Sequence, residues 1–86
     1  MKVAFDEIAI KQYFAWQKED KKTLGRINEL IKDIQRNGFM DGIGKPEALK
    51  HRKGYSRRID KANRLVYRED GNDGFVILSC KGHYDD

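Results

Sequence analysis

A carboxylate, a series of cations and a late imidazole punctuate the second half of this chain. They fall in Lys45-Pro46-Glu47-Ala48-Leu49-Lys50-His51, Ser56-Arg57-Arg58-Ile59, Arg64-Leu65-Val66-Tyr67 and His83-Tyr84. Together they are the groups that cut a phosphodiester without a metal: a base, charge stabilisers and an acid. Cleavage of RNA can use the 2′-hydroxyl as the attacking group. A protein catalysing it must remove that proton, stabilise a phosphorane with added negative charge, and protonate the departing 5′-oxygen.

Glu47 is the carboxylate best surrounded by cations, with Lys45, Lys50 and Arg52 close in sequence, and a base must be ionised to act. The plainer reading is a loop carboxylate that balances local charge. His83 suits the acid, because imidazole titrates near neutrality; against this, chain ends are usually frayed. His51, inside the basic loop, is a rival as acid or phosphate donor. Arg64 opens a strand and so has a rigid mount for a phosphorane-stabilising guanidinium; otherwise it is a sheet-surface arginine. Tyr84 can stack on a base. Two histidines and one cysteine, far apart in sequence, give no metal-ligand pattern. Neither a glycine-rich nucleotide loop nor a Ser/His/Asp arrangement occurs, and no cofactor is implied.

These residues need a scaffold. Lys2 to Phe5 reads as a short strand, and Asp6 as the cap of a helix. Ala9, Tyr13 and Trp16, flanked by Ile10 and Phe14, give that helix an apolar face. Asp20 caps a second helix whose stripe, Leu24, Ile27, Ile31 and Ile34, runs to a stop at Gly38. The short charged link favours an antiparallel helix pair. Phe39 to Gly54 is irregular, glycine-rich and holds the only proline. Tyr55–Asp60, Asn63–Glu69 and Phe75–Cys80 then read as three strands, separated by the turn sequences Asp60-Lys61-Ala62-Asn63 and Asp70-Gly71-Asn72-Asp73-Gly74. The expected fold is α+β: an N-terminal strand and a two-helix hairpin packed on an antiparallel β-sheet, with the other sheet face free to display Arg57, Arg58, Arg64 or Arg68.

Size and charge bound the rest. A chain of 86 residues is expected to be a single domain, residues 1–86, with one small core. The formal net charge is +4, but residues 45–68 alone carry +7 and the remainder −3. Such a block attracts polyanions, nucleic acid first, and the interleaved Tyr55 and Tyr67 favour a binding surface over a merely solvated face. Cys80 is the single cysteine, so no internal disulfide forms, and a reducing cytoplasm is the expected location. It ends an apolar run and reads as an inert buried thiol. The N-terminus lacks the pattern of a signal peptide, and no stretch approaches transmembrane length, so no membrane partner is expected.

The ordered set Lys45-Pro46-Glu47-x-Leu49-Lys50, Ser56-Arg57-Arg58-Ile59, Arg64-Leu65-Val66-Tyr67 and His83-Tyr84 resembles the YoeB/Txe branch of the RelE-type toxins. Trp16-Gln17 and Asn28-Glu29-Leu30-Ile31-Lys32-Asp33 fit the same branch. The resemblance implies a microbial ribonuclease fold and the toxin half of a type II toxin–antitoxin system. It implies a ribosome-dependent endonuclease cutting messenger RNA in the decoding site and so stopping translation. An antitoxin of the YefM or Axe type, the ribosome with its message, and a homodimer are the implied partners. Residue by residue, it makes Glu47 the general base, Arg64 the transition-state stabiliser and His83 the general acid, which decides between His83 and His51. Tyr84 would position substrate, with Lys50, Arg57 and Arg58 as supporting cations; His51, from its place in the basic loop, is left as a substrate-binding candidate. The chain departs from the pattern at Tyr55, where tryptophan is common, at Asn63, where histidine is frequent, and in the added Asp85-Asp86. A ParE-like gyrase inhibitor and a non-catalytic RNA-binding module are the competing readings, and both make Glu47 and His83 dispensable.

Overall fold

Two helical stripes of different quality begin the structure, a computed structural model that describes residues 1–83. Strand β1 (Lys2–Phe5) leads into α1 (Glu7–Glu19) and α2 (Lys21–Asn37). In α2, Ile27, Leu30, Ile31 and Ile34 recur at i, i+3, i+4 and i+7, and all are buried. In α1 only Ala9 is fully buried, with Tyr13 and Trp16 packed beside it, while Ile8 and Phe14 point outward at 60% and 57% exposure. Asp20 links the helices and caps α2: its carboxylate accepts from the Thr23 amide (3.1 Å) and hydroxyl (2.8 Å). Tyr13 donates to Asn28 Oδ1 at 2.7 Å, and the two lie nearly equidistant from Asp20, as an antiparallel hairpin requires. Asp6 stands at the α1 N-cap, but its side chain makes no capping bond. Its amide donates instead to Ile77 O (2.9 Å), tying the start of α1 to the sheet. Gly38, at φ +91°, ends α2 with its amide on Ile34 O.

The remaining strands are β2 (Glu47–Ala48), β3 (Tyr55–Arg58), β4 (Arg64–Glu69) and β5 (Gly74–Ser79). They form one five-stranded sheet in the order β1-β5-β4-β3-β2. The β3-β4-β5 meander is antiparallel, as the short turns dictate. Two features differ from expectation. First, β1 pairs in parallel with β5, matching Val3 to Phe75 and Phe5 to Ile77, so the sheet is mixed. The apolar strand β5 has β4 on one edge only, and the helical hairpin carries the chain far enough for β1 to cover the other. Second, Glu47 does not sit in irregular loop. It pairs antiparallel with Ser56 in the short edge strand β2.

Because side chains alternate across a strand, each strand divides its residues between two faces. Leu65, Tyr67, Phe75 and Ile77 turn toward the helices and join Ile59, Cys80 and the α2 stripe in the core. Tyr55 and Tyr67 belong to this side as well. Their rings stack at 5.6 Å, with Phe39 over Tyr55 at 5.3 Å and Phe75 edge-on to Tyr67. Tyr67 is therefore a core aromatic and not part of a nucleic-acid surface, whereas Tyr55 is half-buried against the core and keeps an edge beside Arg52, Lys53 and Arg68. Cys80 is fully buried against Ala9, and burial pushes its thiol up to about 11, so it remains protonated and unreactive at neutral pH. Among the described residues no helix is long and apolar enough to cross a membrane.

Candidate active site on the open sheet face

On the side away from the helices, Glu47, Ser56 and Arg64 converge. Ser56 opposes Glu47 across β2–β3 and Val66 across β3–β4, which places its hydroxyl between the other two side chains. Arg64 donates to Ser56 Oγ from Nε (3.2 Å) and Nη2 (3.0 Å). The same Nη2 reaches Glu47 Oε2 at 3.5 Å. The guanidinium is thus pinned along one edge by a buried serine, and its side chain is only 12% exposed. Glu47 is 67% exposed and open to a ligand. A fixed cation beside a reachable carboxylate is what general-base attack on a phosphodiester requires. Ser56 was not singled out as a site residue from the sequence. Its signal was its place before Arg57-Arg58 on a strand, which is uninformative until the register is known.

Arg58 opposes Arg64 directly across β3–β4 and is exposed, adding a second cation to this face. Lys50 and His51, with Arg52 and Lys53, form the exposed tip of the β2–β3 hairpin, closed by the Leu49 amide on Gly54 O at 2.9 Å. Gly54 is needed there: at φ +140°, a Cβ would lie 2.9 Å from the Leu49 side chain and 3.0 Å from Tyr67 O. Beside this tip a cavity of about 590 Å³ is bordered by Arg52, Lys53 and Arg68. His83 follows Gly82, whose carbonyl accepts from the Arg64 amide at 3.1 Å, so the backbone leading to His83 runs beside the start of β4. Tyr84, Asp85 and Asp86 lie outside the described residues. Among the described residues no group of three or more His, Cys, Asp or Glu is gathered as a metal site.

Arg57 is the exception among the sequence-predicted cations. It is fully buried on the helix side, the opposite face from Arg64. All five guanidinium N–H groups are engaged. Nε donates to Tyr67 Oη (2.9 Å), Nη1 to Asp33 and Ile43 O, and Nη2 to Gly38 O (2.8 Å) and Asp41 O (2.7 Å). Tyr67 in turn donates to Phe39 O at 2.6 Å. The side chain is the organiser of the 38–43 loop, which runs on to β2, and no face of it is left for a substrate. The reason is parity: in the pair Arg57-Arg58 one residue must point each way.

Burial opposes ionisation of Asp33, yet hydrogen bonds from Arg57, the Ile43 amide and Asn37, with the Arg57 charge, hold its carboxyl below the ordinary value. Asp60 is likewise lowered: burial works against it, and the Ala62 and Asn63 donors prevail. A carboxyl whose pKa is depressed on folding stabilises the fold above its unfolded value and loses that contribution as pH falls through the folded one. Thermal stability should therefore be flat near neutrality and fall as pH drops below about 4, where carboxylates ordinarily titrate. Melting curves from pH 7 to pH 2 test this. Stability rising on acidification would contradict it.

The family model described as the YoeB-like toxin of bacterial type II toxin–antitoxin systems matches residues 5–84. The chain is 52% identical to Toxin YoeB of Synechocystis sp., covering 98% of both chains. It is 44% identical to Toxin YoeB of Escherichia coli over 98% of this chain and all of the relative. Its fold matches the YoeB dimer from Staphylococcus aureus with a TM-score of 0.90 at 48% identity, covering 98% of each chain. Toxin from a heterotetrameric YoeB–YefM complex of the same organism matches at 0.89 and 46%, again over 98% of each chain. The α+β expectation and the family resemblance both hold, and this chain belongs to the YoeB-like toxin family of bacterial type II toxin–antitoxin systems.

Proposed function

We propose that this toxin is an endoribonuclease that cuts messenger RNA on the ribosome and so halts translation. The observation that carries the reading is the Glu47–Arg64–Ser56 cluster on the open face, with the chain leading back to His83 beside it. In the proposed reaction Glu47 removes the 2′-hydroxyl proton and the freed oxygen attacks the adjacent phosphorus. Arg64, oriented by Ser56, stabilises the charge that accumulates on the phosphorane, with Arg58 on the same face. His83 gives a proton to the departing 5′-oxygen. The hairpin-tip cations Lys50, Arg52 and Lys53, with His51, provide an electrostatic footing for RNA phosphates. Tyr84 is proposed to position the substrate.

Attack by the 2′-hydroxyl has a definite signature: a 2′,3′-cyclic phosphate or 3′-phosphate on the upstream fragment and a 5′-hydroxyl on the downstream one. Purified toxin added to ribosomes programmed with a short message should yield these ends. The same message without ribosomes should be cut far less. A 5′-phosphate on the downstream product would mean water attack and a different mechanism, and gyrase inhibition without cleavage would favour the ParE-like alternative. The proposed partners are an antitoxin of the YefM type, the ribosome with its message, and a second copy of the toxin. The Staphylococcus aureus relatives support the first and last, one solved as a YoeB–YefM heterotetramer and another as a YoeB dimer.

A further inference from the structure

The segment that ends in His83 is fastened at two consecutive points, and each fastening uses both backbone polar groups of one residue. At Cys80, the amide donates to Gln12 Oε1 (2.6 Å) and the carbonyl accepts from Trp16 Nε1 (2.9 Å), so α1 holds the exit from β5. At Gly82, the amide donates to Asn63 Oδ1 (2.8 Å) and the carbonyl accepts from the Arg64 amide (3.1 Å). Gly82 itself has φ +88°, a backbone conformation other residues rarely adopt, so the chain turns there in a defined direction.

Asn63 is oriented for this task by Asp60. Its Nδ2 donates to both Asp60 carboxylate oxygens at 3.1 Å, and its own amide donates to Oδ1 at 2.8 Å. A carboxylate only accepts, so the amide nitrogen must face Asp60 and the amide oxygen must face Gly82. The Ala62 amide on Asp60 Oδ1 (2.8 Å) holds the carboxylate in turn. We propose that Asn63 is a positioning residue for the His83 imidazole: locked by Asp60, it holds the Gly82 peptide so that His83 is delivered beside Arg64. This rests on His83 being the general acid. An acid held one residue beyond a clamped peptide keeps its alignment, and misplacement by about an ångström costs on the order of 10²-fold in rate.

The test is a double-mutant cycle on programmed ribosomes, with the single-turnover rate at saturating toxin and the half-saturating concentration measured separately. Asn63→Ala should lower the saturating rate roughly 10–100-fold and leave the half-saturating concentration within about twofold, since Asn63 acts through His83 and not on affinity. In the His83→Gln background the same change should cost almost nothing further, because the group it positions is already gone. A merely structural role would instead give equal losses in both backgrounds, and that result, or full activity of Asn63→Ala, overturns the proposal. Amide exchange provides a readout independent of activity: Gly82 should be protected in the parent and exchange faster in the variant. Should Asn63→Ala fail to fold, Asn63→Ser, which suits the same turn but is too short to reach Gly82, replaces it with the same expectations. Full activity of His83→Gln would show that the acid assignment itself is wrong. That failure is separable from failure of the clamp, in which His83→Gln is inactive and Asn63→Ala is not.

Discussion

Glu47→Gln and His83→Gln should each slow cleavage of ribosome-bound message by about 10²–10⁴-fold, the usual contribution of a general base or acid. That corresponds to roughly 3–5.5 kcal/mol in the barrier. Folding should survive both changes. Glu47 lies on the edge strand β2 with a side chain 67% exposed, and His83 follows the last strand on the surface. Glutamine at position 47 keeps an oxygen that can accept from Arg64 but cannot take the 2′-hydroxyl proton, so the substitution separates proton transfer from positioning. The measurement is single-turnover cleavage with ribosome binding followed in parallel, and binding should stay close to that of the parent. The two losses should also combine to less than their sum, because both residues serve one reaction step. Variants that stop translation as well as the parent would remove Glu47 and His83 from the chemistry and favour a binding-only toxin.

Arg57→Ala should destabilise the fold by about 3–5 kcal/mol, the cost of breaking a buried ion pair from one side. Domains of this kind are stable by roughly 5–15 kcal/mol in total, so a large share of the folded population is at stake. The substitution strips Asp33 of its guanidinium partner and leaves the Gly38, Asp41 and Ile43 carbonyls without the donors that gather the 38–43 loop. Arg57→Lys should restore little of this. A lysine ammonium has three donors at one point and cannot reach acceptors arranged around a planar fork. Urea denaturation provides the measurement, with a midpoint lowered by more than about 1 M at ordinary slopes. A different outcome is diagnostic: if Arg57→Lys folds like the parent and only weakens ribosome binding as salt rises, then Arg57 serves the RNA and not the loop.

Much of the fold was legible in local spacing. The α2 stripe, its Asp20 cap and its Gly38 stop are set by neighbours three and four residues apart. The structure keeps the cap, the stop and Ile27, Ile31 and Ile34, and buries Leu30 where the expected stripe had Leu24, which is only half-buried. The β3–β4 and β4–β5 turns were announced by Asp60–Asn63 and Asp70–Gly74, because their side chains and φ preferences act within the turn itself. The chemical types needed for the proposed reaction were equally visible, since a carboxylate, a guanidinium and an imidazole declare themselves by identity. What spacing could not decide was facing and long-range pairing. Arg57 and Arg58 are adjacent and chemically equal, and only the sheet register sends one into the core and the other to the open face. Tyr67 reads as a surface aromatic among cations, and only the β3–β4 pairing, which stacks it on Tyr55, shows that it belongs to the core. The parallel partnership of β1 with β5 joins residues some seventy positions apart, and the Asn63–Gly82 bond spans nineteen. Local propensity acts over a few residues, whereas the side of a pleated strand a residue occupies, and the distant peptide it meets, depend on how the whole chain closes on its core.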